Sequence, residues 1–419
     1  MDEALMNSGQ TGDKVQALVL RFVAWLDRYG ETSWDHQSYF ASPLGGAAKA
    51  LYYKHRLPGT MAVAPMIFSE AFVPSARRLF WKRDRFPIAD AHYAMGFAFL
   101  VGVLGREPYY SRAVHFLEVL RETRSPGFER HGWGYPFNWE TRTGTMKQGT
   151  PMITTLPYVY EAFREVYRID GKGQWFDIMR SIAEHARLDY GDNPVSATAS
   201  TCAYTPDPED RGGVVNASAY RAFLLTCAAR DFSDERYGAI AEKNLNFVVG
   251  AQNSDGSWYY SVDGARDFVD HFHTCFVLKA LAKIEKLTGN PACTAAIERG
   301  VQYYLGNLFT EDLQPKPFSR RPRMTVYQHE LYDMAECINL AVLLRGRFPQ
   351  LDRILLSLVD REEWQKRDGS FRARRLLLGW DNTPMHRWAQ SQMFRSLCFL
   401  LAQERLGSHF EVVSQEIAH

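Results

Sequence analysis

The chain has 419 residues, of which 46% are hydrophobic, 14% aromatic and 23% charged. This composition is typical of a globular protein and argues against a disordered or collagen-like one. The formal net charge is +1, because 49 Lys and Arg oppose 48 Asp and Glu. Charge therefore gives no overall reason to expect nucleic acid or an anionic membrane as a partner.

The start of the chain and its cysteines bear on cellular location. Residues 17–26 form the most apolar run near the start, and Arg21 interrupts it, so we expect no membrane span. Residues 1–4 lack the basic stretch and apolar core of a secretory signal. The six cysteines form no CxxC pair, which is typical of buried thiols in a reducing compartment. These features predict a cytoplasmic protein.

Polar helix beginnings recur along the chain at intervals of 54 to 64 residues. A long apolar helical pattern follows each of them, and each interval has room for two helices of roughly 15 to 20 residues with their loops. This period predicts six helix pairs. The six beginnings lie near Asp90, Thr154, Asn216, Asp270, His329 and His386.

Individual helices are predicted from apolar residues at helical spacing and from the residues that end them. Gly171 ends the helix that contains residues 158–167, and Asp270 caps a helix over residues 272–287 that Gly289 stops. No stretch shows the alternation of apolar and polar residues that is typical of a sheet strand. The only strands that we expect are short hairpins in long loops. Further helices are predicted at 175–188, 295–308, 332–344 and 351–359.

Two loops also repeat. The Gln-x-x-Asp-Gly-Ser-Trp sequence of residues 252–258 matches residues 365–371, which end in Phe and lie 113 positions later. Gly permits a tight turn, Asp bonds to the local backbone, and the aromatic residue packs against the helices. Trp258 is therefore interpreted first as a loop plug, with stacking on a sugar as the alternative.

Six helix pairs favour a closed ring, because closure removes the exposed ends of a repeat array. We predict an all-α protein, an (α/α)6 toroid over residues 86–405. Residues 1–85 are predicted to form a helical extension packed on the barrel, and residues 406–419 a C-terminal tail.

The Asp-Gly-Ser-Trp loop and the alternating helices resemble the (α/α)6-toroid superfamily. That superfamily includes glycoside hydrolases, polysaccharide lyases, sugar epimerases, terpene cyclases and protein prenyltransferases. Three segments further resemble an uncharacterised bacterial family associated with surface-polysaccharide gene clusters. This resemblance spans about residues 85 to 400 and implies membership without implying a reaction. The segments are residues 132–139 (GWGYPFNW), 270–274 (DHFHT) and 387–390 (RWAQ).

In such a ring the inner helices share one direction, so their N-termini meet at one rim, where helix dipoles favour negative charge. Histidine titrates near neutral pH, and glycoside hydrolysis usually needs two carboxylates, so the rim is expected to hold the catalytic groups. Helix-end hydrogen bonding is the alternative for the histidines, and capping is the alternative for Asp90 and Asp270. The candidate catalytic residues are Asp90, Tyr220, Asp270, His273, His329, Glu330 and Asp333.

The candidate substrate-binding residues are aromatic or polar. Flat rings can stack on the C–H faces of sugars, and Arg can hold a carboxylate with two hydrogen bonds. Tyr204 and Tyr260 belong to the same aromatic set. The candidates are His131, Trp133, Tyr135, Trp139, Arg142, Gln148, Tyr158, Asn216, Trp258, His386, Arg387 and Trp388.

These observations predict a carbohydrate-active enzyme that cleaves an acidic glycan by lyase or hydrolase chemistry. In the lyase version His273 or His329 abstracts a proton and Arg387 neutralises the uronate carboxylate. A tyrosine such as Tyr158 or Tyr220 assists. A sugar epimerase using His273 and His386, and a non-catalytic glycan-binding or scaffold protein, remain alternatives.

No Gly-rich phosphate loop or GxSxG motif occurs, and the two-residue spacing of His271 and His273 does not suit a helical zinc pair. We therefore expect no cofactor, no metal and no nucleic acid partner.

Overall fold

The computed structural model describes residues 2–322 and 324–407, so nearly all of the predicted tail lies outside the described residues. The chain begins with one long helix and a group of shorter ones before the repeats start. A 3₁₀ turn, Pro74–Leu79, follows this group. The helices are α1 (Asp2–Tyr29), α2 (Ser38–Ala41), α3 (Pro43–Lys54) and α4 (Arg56–Phe72).

The remaining helices alternate between an outer and an inner layer. Each inner helix packs against the next inner helix, and α15 packs against α5, so the inner ring is closed. The helices are α5 (Pro87–Leu104), α6 (Tyr109–Glu122), α7 (Leu156–Asp170), α8 (Gly173–Leu188), α9 (Val215–Asp231), α10 (Glu235–Gly250), α11 (His271–Thr288), α12 (Pro291–Asn307), α13 (Leu331–Leu343), α14 (Pro349–Val359) and α15 (Ser391–Leu406), of which the odd-numbered ones are inner.

Local sequence signals end the helices as predicted. Asp270 caps α11 by accepting from the backbone N–H of His273, and Gly171 and Gly289 end α7 and α11 with φ of 65° and 66°. The six predicted helices agree with the observed bounds to within four residues at each end. A π-helical turn, His386–Gln390, leads into α15.

Short antiparallel strands occupy the loops at the rim. The strands are β1 (Trp139–Thr141), β2 (Gly144–Met146), β3 (Asp192–Pro194), β4 (Ser200–Cys202), β5 (Val269–Asp270), β6 (Phe318–Arg320), β7 (Tyr327–Glu330), β8 (Arg374–Leu376) and β9 (Trp380–Asp381). They form three two-stranded pairs, β1–β2, β3–β4 and β5–β6, and one three-stranded sheet, β7–β8–β9.

The repeated loops show how α1 completes the ring. Gln252 donates from Nε2 to the carbonyl oxygen of Ala296 in α12, the outer helix after α10. Gln365, at the same place in the second loop, donates to the carbonyl oxygen of Leu18 in α1. Thus α1 takes the outer position after α14, and it packs against α15. The first 85 residues therefore include an outer helix of the ring, while the boundary at residue 86 stays a prediction.

Most of the buried apolar residues form one core that the inner and outer helices share. By length and apolar composition α5 is long enough to cross a membrane, but 67% of it is buried inside the protein as a core helix. A separate small cluster packs α3 against α4 through Tyr39, Ala48, Val63 and Met66.

Replacing Gly369 with alanine is expected to lower the free energy of unfolding by about 2–4 kcal/mol. Gly369 has a φ of +97°, and an added Cβ would lie 2.2 Å from the carbonyl oxygen of Arg21 in α1. Gly379→Ala is the matched control, because Gly379 has a φ of +80° and no described atom within 4 Å of the added Cβ. Urea unfolding of both variants measures the difference. If both variants lose the same free energy of unfolding, the contact between this loop and α1 contributes nothing to stability.

Candidate active site

At the start of α11, Asp270 and His273 form a hydrogen-bonded pair. Asp270 Oδ1 accepts from the backbone N–H of His273 at 3.0 Å, and Oδ2 lies 2.6 Å from Nδ1 of the same residue. The side chain of His273 is 22% exposed and that of Asp270 is 3% exposed. Because an ionised carboxylate can only accept, we assign the imidazole proton to Nδ1, which leaves the lone pair on Nε2. In the described part of the chain the hydrogen bonds of His273 run through Nδ1 and the backbone N–H, both to Asp270.

Aromatic side chains surround His273. Its ring meets Tyr260 edge-on with 4.6 Å between ring centroids, and the ring of Phe272 lies 4.3 Å away. Tyr260 in turn stacks on Phe268 at 4.8 Å. Burial raises the pKa of Tyr260 to about 12, so its phenol keeps the proton at neutral pH and can donate it. His273 thus has a phenolic proton donor beside it in an apolar setting.

Trp388 and Tyr332 stack on each other next to this pair. Their rings stack with 4.8 Å between centroids and 16° between planes. Phe272 touches both rings edge-on, at 5.6 Å from Trp388 and 5.3 Å from Tyr332. Trp388 is partly exposed, and the guanidinium of Arg387 lies 5.0 Å from the centre of its ring. We call the region formed by Asp270, His273, Tyr260, Phe272 and Trp388 the barrel mouth.

Arg387 is held by an acidic partner. Its Nε and Nη2 donate to the carboxylate of Asp35 at 2.9 Å and 2.5 Å, and both side chains are buried. Its Nη1 donates to the Tyr135 hydroxyl at 3.1 Å, and the guanidinium lies 4.6 Å from the centre of the Tyr135 ring. Because Asp35 neutralises its charge, Arg387 positions Tyr135 and is not a free cation for a substrate carboxylate.

Glu330 and Asp333 form a buried acidic pair at the start of α13. Glu330 accepts from Arg374 Nε at 2.5 Å and from the Trp388 indole, while neither oxygen of Asp333 has a hydrogen-bond partner among the described residues. His36 Nε2 lies 3.3 Å from Glu330. Burial raises the pKa of Asp333 well above its usual range, and the neighbouring Glu330 charge raises it further. Burial and the neighbouring charge therefore favour the protonated form of Asp333.

Tyr158 and Tyr220 lie deeper in the barrel. Their hydroxyls are 2.5 Å apart, and they are 3% and 5% exposed. Phe276 links Tyr220 to the mouth, because it contacts both Tyr220 and His273. His92 packs edge-on against Tyr158, and its burial holds its pKa well below the usual value. Below this layer the ion pairs Lys279–Glu336 and Lys283–Glu161 cross the barrel interior.

Three predicted histidines do not reach the mouth. His386 is fully buried between Tyr93, 2.5 Å from Nδ1, and the Gly30 carbonyl oxygen, 2.9 Å from Nε2. Burial lowers the pKa of His386 to about 3. Nδ1 of His329 lies 2.9 Å from the carbonyl oxygen of Pro315. Nδ1 of His131 lies 2.8 Å from Ser181 on the outer helix α8. The structure therefore does not pair His273 with His386.

The predicted tryptophans divide between loop plugs and the rim. Trp133 and Trp258 are 0% and 3% exposed, and each indole donates to the carbonyl oxygen of a preceding outer-helix residue, Leu120 or Val248. Neither leaves a face for a ligand. Trp139 is partly exposed, with its ring 5.3 Å from that of Tyr135.

The other predicted polar residues are spread over the rim. Arg142 and Gln148 are exposed on the loop that carries β1 and β2. Asn216 is 3% exposed, and its side-chain oxygen has no hydrogen-bond partner in the described part of the chain. Asp90 is 1% exposed and accepts from Arg85 at 3.0 Å, so it is an ion-pair partner inside the wall and neither a cap nor a mouth residue.

Asp90 should make stability depend on pH. Burial, the largest cause, raises its pKa from 3.8 to about 7 despite the opposing charge of Arg85. A carboxyl with a raised folded-state pKa stabilises the protein at low pH, and this contribution is lost as pH rises from about 4 to about 7. We expect Asp90→Asn to gain stability relative to wild type across this window, by a few kcal/mol at pH 8. Thermal unfolding of both proteins at pH 5 and pH 8 checks this, and parallel pH dependence would contradict it.

Several site residues were not among the predicted candidates. Asp35 and His36 come from the segment between α1 and α2, and Arg374 comes from β8, far from the inner-helix starts that guided the prediction. Phe272 precedes the candidate His273 in the sequence, but its residue type is typical of the core. The cluster of polar and aromatic residues at 34–37 (WDHQ), between two helices, is the signal that could have identified the first two.

The sequence matches no protein-family model and no curated protein sequence. Solved structures do match in fold. An unsaturated glucuronyl hydrolase from Bacillus sp. GL1, responsible for glycosaminoglycan degradation, has a TM-score of 0.62 at 11% identity, over 95% of this chain and 98% of that chain. A cellobiose 2-epimerase from Bacillus thermoamylovorans gives 0.58 at 11% identity, over 76% and 88%. An alpha-1,6-mannanase from Salegentibacter sp. gives 0.56 at 13% identity, over 78% and 90%.

These similarities confirm the predicted (α/α)6-toroid fold. At such low identity they concern the fold alone. The link to a surface-polysaccharide family stays a prediction.

Proposed function

We propose that the chain is a carbohydrate-active enzyme that cleaves an acidic glycan, with Asp270 and His273 as its proton-transfer pair. The observation that carries the proposal is the partly exposed imidazole, oriented by a buried carboxylate and set among aromatic rings at the barrel mouth. A cytoplasmic location and a role in surface-polysaccharide metabolism belong to the same proposal. The fold of the glucuronyl hydrolase, epimerase and mannanase supports a sugar as the substrate class.

The dyad suits removal of a proton from carbon. Asp270 fixes the ring and stabilises the imidazolium that forms when His273 Nε2 accepts a proton. In a β-elimination that proton comes from the carbon next to the uronate carboxylate, a C=C bond forms, and the C–O bond to the leaving sugar breaks. The departing oxygen then takes a proton from the Tyr260 phenol, whose ring contacts His273. This assignment replaces the predicted assistance by Tyr158 or Tyr220, whose hydroxyls lie close to each other deeper in the barrel.

Recognition of the acidic group rests on the helix ends. The six inner helices start at the rim around the mouth, and their N-termini favour an anion on that side of the barrel. Arg387 contributes to recognition of the acidic group indirectly, because it holds the Tyr135 hydroxyl in place. The partly exposed Trp388, which Tyr332 holds by stacking on its ring, is the aromatic residue that we assign to contact with a sugar.

Hydrolysis is the second candidate, because one observation favours it. Glu330 and Asp333 are neighbouring carboxyl groups whose pKa values are both raised by burial, which is the property of a general acid. Both are at most 1% exposed, so a substrate would reach them only after a rearrangement of the mouth. An epimerase would need a second acid/base group opposite His273, and the predicted partner His386 lies elsewhere.

Product analysis tests the proposal. The protein is incubated with uronate-containing and neutral polysaccharides, and ultraviolet absorbance, reducing ends and sugar configuration are measured. A lyase gives new reducing ends with ultraviolet absorbance from the unsaturated sugar. New ends without absorbance indicate hydrolysis, and a changed configuration without cleavage indicates an epimerase. Saturable binding without turnover would overturn the proposal in favour of a glycan-binding protein.

A further inference from the structure

Helices α3 and α4 form a hairpin before the barrel, and this hairpin exposes large apolar side chains. Half of the large hydrophobic residues that are exposed in the described part of the chain lie between residues 44 and 79. Four of them are on α4: Leu57, Met61, Phe68 and Phe72, which are 50% to 77% exposed. At 100° per residue these four positions fall within about 60° around the helix axis. They therefore form one continuous apolar stripe that faces solvent.

The opposite side of α4 is apolar as well. Val63 and Met66 are at most 9% exposed and pack against α3 and Tyr39 in the small second core. Along its 17 residues α4 has only two charged side chains, Arg56 and Glu70. A helix that is apolar on both sides is normally covered on both sides. The covering of the outer side must come from outside the described chain.

The charges around the stripe are almost all positive. Residues 43–83 contain seven Lys and Arg and one acidic residue, Glu70, in a chain whose net charge is +1. One of the seven, Arg77, is buried and pairs with Asp381, which leaves six cations. Glu70 accepts from Arg374 Nη1 at 2.7 Å and is mostly buried, so it does not offset the positive surface. Lys54 and Arg56 are exposed cations at the connection between α3 and α4, and Arg78 and Lys82 are exposed cations in and after the 3₁₀ turn that follows α4.

We propose that this face, the apolar stripe of α4 with its flanking cations, docks on an anionic phospholipid bilayer. An apolar helix face bordered by Lys and Arg is the arrangement of helices that lie in the plane of a membrane interface. The helix lies on the bilayer and does not cross it, because it has 17 residues and Pro65 interrupts it. A second copy of the chain is a poorer partner, because a two-fold contact would bring two positive faces together. The proposal is independent of the reaction at the barrel mouth.

Vesicle flotation of the full chain tests the docking. We expect binding to vesicles of mixed phosphatidylglycerol and phosphatidylcholine, weaker binding to phosphatidylcholine alone, and weakening of the former by salt. Phe68→Ser with Phe72→Ser should lower the partition coefficient at least about tenfold, because two inserted aromatic side chains are lost. Both residues are exposed, so circular dichroism and the unfolding midpoint should stay unchanged.

A matched control is Leu188→Ser with Val262→Ser, which removes two apolar side chains of similar exposure elsewhere on the surface. It should bind the mixed vesicles as wild type does. Equal binding to neutral and anionic vesicles, no binding to either, or equal loss in both double variants would overturn the proposal. A wild-type dimer in analytical ultracentrifugation that Phe68→Ser with Phe72→Ser dissociates would also overturn it, by identifying a second copy as the occupant.

Discussion

Replacing His273 with alanine is expected to lower kcat on the cleaved glycan by about 10²–10⁴-fold, the usual contribution of a positioned general base. The side chain is partly exposed at the start of α11, and the Asp270 cap on the backbone N–H does not need the imidazole. The fold should therefore survive the change. Steady-state kinetics with wild type and variant, after both show the same unfolding midpoint, measure the effect.

Two further variants make this prediction specific. Asp270→Asn keeps a helix-capping side chain but no longer stabilises the imidazolium, so kcat should fall while KM changes little. His329→Ala is the matched control, because His329 is also a partly buried rim histidine but lies beside the Pro315 carbonyl oxygen. If His329→Ala loses as much activity as His273→Ala, or if His273→Ala keeps full activity, the assigned proton-transfer pair is wrong.

Arg387→Met is expected to destabilise the protein by about 3–5 kcal/mol, because it leaves the buried Asp35 carboxylate without its cation. Asp35 is 1% exposed and receives two hydrogen bonds from Arg387. Combining Arg387→Met with Asp35→Asn should restore much of the stability, since the uncompensated charge is then gone. Denaturant unfolding of the single and double variants gives the coupling free energy between Arg387 and Asp35.

The exposed pair Arg236–Asp234 provides the comparison. Arg236→Met removes one member of an ion pair at the start of α10, and we expect no measurable change in the unfolding midpoint, because solvent screens that pair. A tolerated Arg387→Met with impaired binding of acidic glycans would contradict the positioning role. It would return Arg387 to the substrate-binding role predicted from the sequence.

Local signals were sufficient for most of the architecture. Polar starts, apolar 3.6-residue patterns and terminal glycines such as Gly171 and Gly289 act within one helix, so they can be read from adjacent residues. The Asp-Gly-Ser-aromatic turn is also local, because Asp255 and Asp368 each accept from the Ser backbone N–H two positions later. The period of these signals was enough to predict six helix pairs.

What the sequence determined by itself was the ring of helices and the set of polar residues near its rim. Tertiary structure decided which of those residues reach the mouth. His273 is partly exposed there and bonds to Asp270 through Nδ1, whereas His386, at another inner-helix start, is enclosed by Tyr93 and the Gly30 carbonyl. Arg387 meets Asp35 across 352 positions of the chain. Periodicity fixes a side chain's place on its own helix, but its partner depends on how distant segments pack, and no local pattern encodes that.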